Sequence, residues 1–305
     1  AAILARRTGR PVMMEYSREA MFRHFRGRHK QYIDLKIGVK KDGTITAVDH
    51  RVVLDGGAYT SFGVITAYYA GSMLPTLYRI PNYRYEGLRV YTNLPASGAF
   101  RGHGVPQPRF AFESLLDMIA EDLGIDPIDI RLRNAMEPGV RTCNALDISS
   151  CEFRATLERA RETSGWREKK GRLPRGKGIG VGCGGFVSGA GYPIYRSDFP
   201  HSNAVIRVHE DGTGVSLHIA AAEIGQGSDT VLVQIAAEEL GIPYEWVWMA
   251  DCDTTISPLD LGSYSSRVTL MGGNAVRMAA ASVKAQLFEA AGRRLGCDAH
   301  SLVAS

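Results

Sequence analysis

The chain reads as an α+β protein of two related units, each with a mixed sheet and packed helices, and three observations predict this. Apolar residues alternate over 31–54 around Lys41-Asp42-Gly43-Thr44. They do so again over 203–209 and 214–220 around Glu210-Asp211-Gly212-Thr213. Asp-Gly readily supplies tight-turn dihedrals, so each stretch predicts a β-hairpin. A helical segment follows each hairpin, and Ala120-Glu121-Asp122-Leu123-Gly124-Ile125 is echoed by Ala237-Glu238-Glu239-Leu240-Gly241-Ile242, a short echo that generic helix capping would also produce.

Taken in order, residues 1–7 read as the last turns of a helix, stopped by Gly9 with Pro11 beyond. The first hairpin and a Gly/Tyr-rich stretch lead to a helix over 110–123 that buries Phe112, Leu115, Leu116 and Ile119 and ends at Gly124-Ile125-Asp126-Pro127. Residues 137–177 are more polar, with a short helix over 152–163 and the basic turn Lys169-Lys170-Gly171-Arg172-Leu173-Pro174-Arg175. The division expected is therefore 1–137 for the first domain, 138–176 for a linker region and 177–305 for the second domain. The glycine-rich run 178–186 lacks the order of a nucleotide-binding turn and predicts a closely packed strand near the ligand. After the second hairpin comes a helix over 231–240, ending at Gly241-Ile242-Pro243. A start without methionine and an abrupt end predict an internal stretch of a longer polypeptide.

With 305 residues and 45% hydrophobic content, the chain can bury a large core. No apolar run is long enough to cross a membrane. The net charge is +4, and basic residues crowd the first thirty positions without any nucleic-acid-binding motif, so a solvated face or a subunit contact is expected, with neither nucleic acid nor membrane as partner. Cys143, Cys151, Cys183, Cys252 and Cys297 are widely spaced with no Cys-x-x-Cys pair. That disfavours zinc and iron–sulfur sites within the chain and fits a reducing cytoplasm.

Three runs of small residues precede helical segments: Ala99-Phe100-Arg101-Gly102-His103-Gly104, Gly225-Gln226-Gly227-Ser228, and Gly262-Ser263-Tyr264-Ser265-Ser266-Arg267. Unpaired amides and the positive end of a helix dipole attract anionic oxygens, and glycines let them approach. Singly, each is an ordinary capped helix; together they suggest one extended, polyanionic cofactor. Gln226 then offers a side-chain amide, and Arg101 and Arg267 are candidate anion partners. No residue has the surroundings of an activated nucleophile, and no histidine or acidic cluster has metal-ligand spacing, so no protein-ligated metal is expected. A cofactor that brings its own metal ligands needs only such a cradle.

Thr92-Asn93-Leu94-Pro95-Ala96-Ser97-Gly98-Ala99-Phe100-Arg101-Gly102-His103-Gly104, the Glu223-Ile224-Gly225-Gln226-Gly227 turn and the 262–267 loop resemble, in order, the large subunit of the xanthine dehydrogenase/aldehyde oxidase family of molybdenum enzymes. The resemblance implies two molybdopterin-binding domains and a cytosine dinucleotide form of the pterin carrying molybdenum. Phe100, Arg101 and Gly102 would line the pterin; Gly225, Gln226 and Gly227 a second wall; Ser265 and Ser266 a third. It also implies an iron–sulfur subunit and a flavin/iron–sulfur subunit as partners, and a base-acting glutamate near the family's C-terminus that has no counterpart here.

Tyr69 falls where xanthine-type members carry a substrate-binding arginine, and His103 where they carry a stacking phenylalanine. Those departures count against a purine hydroxylase. Residues 63–75 and 189–196 most resemble the 4-hydroxybenzoyl-CoA reductase branch. That resemblance implies reductive removal of a phenolic hydroxyl from a CoA thioester in aromatic degradation, with a ferredoxin-like electron donor. Tyr69 would be catalytic, giving a proton or hydrogen bond to the ring, and Tyr69, Tyr68 and His103 would bind substrate, with aromatic packing the other reading of Tyr68 and Tyr69. The alternatives are a molybdenum hydroxylase for an aldehyde or N-heterocycle and a non-enzymatic cofactor-binding or assembly module. By itself the stretch is expected to show no turnover.

Overall fold

In the computed structural model, residues 1–189 and 202–304 are described, and the chain divides into two compact units, Ala1–Phe186 and Val187–Ser305. The first unit opens with α1 (Ala2–Thr8) and α2 (Arg18–His24). Gly9 ends α1 in the left-handed region at φ 63°. The expected hairpin forms as β1 (Lys30–Val39) and β2 (Ile45–Asp55), paired antiparallel. The helix α3 (Gly63–Ser72) then carries the chain back so that β3 (Tyr83–Val90) lies parallel to β2.

A long helix follows, α4 (Pro106–Leu123), then α5 (Pro127–Asn134), the two-stranded β4 (Val140–Arg141) and β5 (Asp147–Ile148), and α6 (Phe153–Ser164) with α7 (Trp166–Lys169). The spacing of Phe112, Leu116 and Ala120 puts them on one face of α4, and all three are fully buried. Phe112 and Leu116 pack with Ile45, Val48, Leu74, Tyr78 and Ile80. Glu113, beside them, is buried too, and each of its oxygens is used: it accepts from Tyr78 Oη at 2.7 Å, Arg131 Nε at 2.8 Å and the Cys183 amide at 3.0 Å.

In the second unit β6 (Ala204–Val208) and β7 (Val215–Ile219) form the other hairpin. The helix α8 (Ser228–Leu240) leads to β8 (Val247–Met249), parallel to β7, and α9 (Gly273–Leu295) follows. Val215, Leu217 and Ile219 alternate inward from β7 and meet Leu232, Ala236 and Leu240 of α8 and Val276 and Ala280 of α9. Both units thus repeat one plan of hairpin, helix and parallel strand. Even the hairpin loops match: Asp42 Oδ1 takes the Thr44 amide and Asp211 Oδ1 the Thr213 amide, each at 3.0 Å.

The structure decides between the two readings of the echo and corrects one expectation. The partner of α8 in this repeat is α3, which precedes the parallel strand, whereas the echoed phrase lies at the end of α4, which follows it. The echo is a shared helix stop: Gly124 and Gly241 sit at φ 65° and 74°, and the Ile125 and Ile242 amides bond back to the Ala120 and Ala237 carbonyls at 2.8 and 3.1 Å. The glycine-rich run forms no strand ladder either. Ile179, Val181 and Cys183 pack one side of it onto Ile128, Leu132, Leu157 and Trp166, while a Cβ at Gly178, Gly180, Gly182 or Gly184 would meet nothing. Among the described residues no helix is long and apolar enough to cross a membrane.

Candidate cofactor site

The loop after β3 is tied down from several sides. Thr92 Oγ1 donates to Asp55 Oδ1 at 2.6 Å, and the Ala58 and Ser97 amides bond to the Leu94 and Gly56 carbonyls at 3.0 and 3.1 Å. Arg89 donates to the Gly56 and Tyr59 carbonyls at 2.7 and 2.8 Å and to His29 Nε2 at 3.1 Å. Burial, and then the Arg89 charge, hold the His29 imidazole down at about 4, so it is neutral and able to accept that bond.

At the loop's end Gly102, His103 and Gly104 take φ of 88°, 43° and 88° in succession. A Cβ on Gly104 would lie 2.6 Å from the Thr66 carbonyl, so the backbone can pass α3 only as glycine. His103 has no such freedom; a non-glycine residue in this region costs about 1–3 kcal/mol and marks a place the surroundings hold in strain. The turn drives its imidazole inward to 9% exposure, where burial lowers its pKa. There it meets Tyr69 at 5.9 Å, Phe62 at 5.8 Å and Phe186, nearly parallel, at 5.6 Å between ring centroids. Tyr69 also touches Tyr68 at 5.8 Å and Phe186 at 5.5 Å and is only 3% exposed.

The structure therefore gathers Tyr68, Tyr69 and His103 into one aromatic wall and adds Phe62 and Phe186, which sequence reasoning missed. Phe186 ends the glycine-rich run expected near the ligand, whereas nothing but aromatic character marked Phe62. Phe100 and Arg101 sit at the turn's exposed edge, with Gly102 between them and the wall. The residues 190–196 that pointed to the reductase branch lie outside the described residues.

In the second unit, Gly225, Gln226 and Gly227 precede α8, but their amides do not wait for an external anion. Glu223 Oε1 takes the Gly225 and Gly227 amides at 2.7 and 3.1 Å, and Oε2 takes Ser228 Oγ at 3.2 Å and the Asp229 amide at 3.3 Å. Desolvation pushes the Glu223 carboxyl upward, yet the amides of Asp229, Gly227 and Gly225 and the Ser228 hydroxyl hold it at about 2. This corrects the expected phosphate seat: the helix's positive end is neutralised by a residue of its own loop. Gln226 folds onto the same loop, its Oε1 accepting the Ile224 amide at 2.6 Å and its Nε2 donating to the Ala222 carbonyl at 3.0 Å.

The third loop meets the second at that carbonyl, where Ser263 Oγ donates to Ala222 at 2.6 Å. Arg267, expected as an anion partner, is instead fully buried against Asp260, with Nη1 2.8 Å from Oδ1. An internal carboxylate uses the charge that an external ligand would need. Ser265 and Ser266, at φ 48° and 54°, form a pair of strained non-glycine residues just before the π-helical turn Val268–Gly272 that starts α9.

Family models described as molybdopterin cofactor-binding domains match residues 1–135 and 158–305. The chain belongs to the xanthine dehydrogenase/aldehyde oxidoreductase family of molybdopterin-binding proteins. It is 37% identical over 288 residues to a putative xanthine dehydrogenase molybdenum-binding subunit of Escherichia coli K12, covering 92% of this chain and 37% of that relative. With the aldehyde oxidoreductase of Megalodesulfovibrio gigas the identity is 33% over 292 residues, covering 91% of this chain and 31% of the other. Among solved structures, quinoline 2-oxidoreductase from Pseudomonas putida 86 superposes with a TM-score of 0.82 at 27% identity, over 99% of this chain and 40% of that one. The aldehyde oxidoreductase from Desulfovibrio gigas superposes with a TM-score of 0.74 at 30% identity, over 84% of this chain and 28% of that one. The chain thus spans between 31% and 37% of the length of these two curated family members.

Proposed function

We propose that the chain is the cofactor-binding part of a molybdenum hydroxylase that oxidises an aldehyde or an N-heterocycle. One observation carries the cofactor assignment. Around the 100–107 segment the polar atoms Arg28 Nη1, Gln31 Oε1, His103 Nδ1 and Gln107 Oε1 are buried without a hydrogen-bond partner among the described residues. Buried polar atoms are normally satisfied, and this set mixes donor and acceptor positions of the kind a pterin's amide and amino groups require. The family's relatives named as xanthine dehydrogenase, aldehyde oxidoreductase and quinoline 2-oxidoreductase favour oxidation over the reductase reading.

The molybdenum cofactor supplies two-electron redox chemistry when bound. In this reading Phe100, Arg101 and Gly102 line the pterin, the backbone of Gly225 and Gly227 with the Gln226 amide forms a second wall, and Ser265 and Ser266 a third. Because Glu223 already occupies the α8 amides and Gln226 bonds to the Ile224 amide, the Ala222 carbonyl and Ser228 Oγ, the second loop serves as a shaped wall rather than a phosphate cradle. Tyr69 and the rings of Tyr68, His103 and Phe186 tilted against it exclude water and give an aromatic lining to the substrate side. His103, kept neutral by burial, offers a hydrogen bond and no charge.

The cytosine dinucleotide form of the cofactor, a cytoplasmic location, and electron transfer through iron–sulfur and flavin subunits belong to the same proposal. The deciding assay uses the full-length subunit in its complex, offered aldehydes and N-heterocycles with an electron acceptor, and 4-hydroxybenzoyl-CoA with a reduced ferredoxin-like donor. Oxidation of the former is expected. Dehydroxylation of the thioester alone would replace this reading with the reductase, in which Tyr69 serves the ring directly.

A further inference from the structure

Besides offering the unpartnered Arg28 Nη1 and Gln31 Oε1, residues 26–31 run along the cofactor-facing turn and hold it at successive points. Gly27 bridges Ser97 and its carbonyl accepts the Gly98 amide at 3.0 Å. Gln31 Nε2 reaches the Gly104 carbonyl at 3.3 Å, and Gln107 Nε2 returns to the His29 carbonyl at 2.8 Å. Between these ties lies Arg28. Its Nη2 donates to the Arg101 carbonyl at 2.5 Å, and its guanidinium carbon stands 4.8 Å from the centroid of the Phe100 ring.

We propose that Arg28 is the positioning residue of the pterin-facing turn, one guanidinium fixing both the Phe100 ring and the Arg101 backbone. The inference rests on the cofactor reading of Phe100 and Arg101 and assigns what sets their geometry. Phe100 is 48% exposed, so no core fixes its ring. A planar, delocalised cation can lie over an aromatic face while its in-plane N–H groups donate to a carbonyl. An ammonium is a point donor on a flexible stem and satisfies one of the two contacts at a time. Removing Arg28 therefore frees the ring and the carbonyl together, next to Gly102 and Gly104, which have no side chains to anchor that edge of the turn.

The test uses the full-length subunit in its complex, with Arg28→Ala, Arg28→Lys and Phe100→Ala. Pterin per polypeptide is read from the fluorescence of the released, oxidised pterin, and the melting temperature of the cofactor-free protein is measured beside it. Outer groups that orient metal-ligating side chains change affinity by roughly tenfold to a hundredfold, and a residue that orients pterin contacts acts in the same way. Arg28→Ala is expected to lower pterin affinity within that range, Arg28→Lys to recover part of it, and the cofactor-free melting temperature to stay unchanged. Normal pterin in Arg28→Ala, with loss in Phe100→Ala, overturns the role of Arg28 and leaves the turn's role standing. Normal pterin in Phe100→Ala removes the cofactor reading of the turn itself, and the proposal with it. Pterin loss that tracks an equal fall in the cofactor-free melting temperature assigns Arg28 to general stability and also overturns the proposal.

Discussion

Asp260 and Arg267 form a 2.8 Å ion pair whose side chains are 1% and 0% exposed, and it closes the loop that carries Ser265 and Ser266. The Gly262 amide also bonds to Asp260 Oδ1, at 2.7 Å, so one carboxylate gathers both ends of the loop.

Removing one partner of a buried pair leaves the other charge uncompensated. Asp260→Asn should therefore destabilise the chain by about 3–5 kcal/mol, read from urea unfolding. Replacing both residues by apolar ones of similar volume should recover much of that loss. A single substitution without measurable effect would show that the pair does not hold the loop.

Glu223 makes the second loop acid-sensitive. Its folded-state pKa of about 2 lies below the ordinary 4.5, so its contribution is complete above about 4.5 and is lost as pH falls through 2. Protection of the Gly225 and Gly227 amides against hydrogen exchange, corrected for intrinsic rates, should fall across that window. Glu223→Gln should remove the pH dependence and lower protection at neutral pH, because an amide has one oxygen where the carboxylate has two. Equal protection in both proteins would detach the loop's order from Glu223.

Two glycines should respond differently to alanine. At Gly104 the φ of 88° and the 2.6 Å approach to the Thr66 carbonyl make Gly104→Ala destabilising by more than about 1 kcal/mol. At Gly180 a Cβ meets nothing, so Gly180→Ala should change stability by no more than about 0.5–1 kcal/mol. Thermal melts of the two variants compare them directly, and a silent Gly104→Ala would contradict the close passage of the turn beside α3.

Tyr69→Phe keeps the ring contacts with Tyr68, His103 and Phe186 and removes only the hydroxyl. In the hydroxylase reading, metal content should hold in the full-length complex and kcat should stay near that of the parent, whereas a fall of about a hundredfold would show proton transfer by the hydroxyl, the role the reductase reading gives Tyr69. Unchanged kcat would leave Tyr69 as part of the wall alone.

Much of the fold was legible because it depends on local rules. Asp-Gly loops between alternating strands gave both hairpins, and Gly124 and Gly241 announced where their helices stop. The same rules misled wherever one local signal serves two ends. A helix stop looked like a domain repeat, and the alternation of Gly178 to Gly184 with Ile179, Val181 and Cys183 looked like a strand, although extended chain can pack one face without pairing its backbone. The family resemblance pointed to Tyr68, Tyr69 and His103, which the fold places in contact, whereas Phe62, packed on His103, carries no signal beyond its aromatic ring.

The sequence by itself determined both hairpins, the stops of α1, α4 and α8, the three glycine-bearing loops and the family, since turn chemistry and motif order are written in neighbouring residues. Only the tertiary structure decided what those loops do with their charges. Whether an amide or a guanidinium is free for a ligand depends on which carboxylate lies within about 3 Å. Glu223 already takes the α8 amides, Asp260 already neutralises Arg267, and Arg28 reaches across the first unit to hold the Phe100 turn.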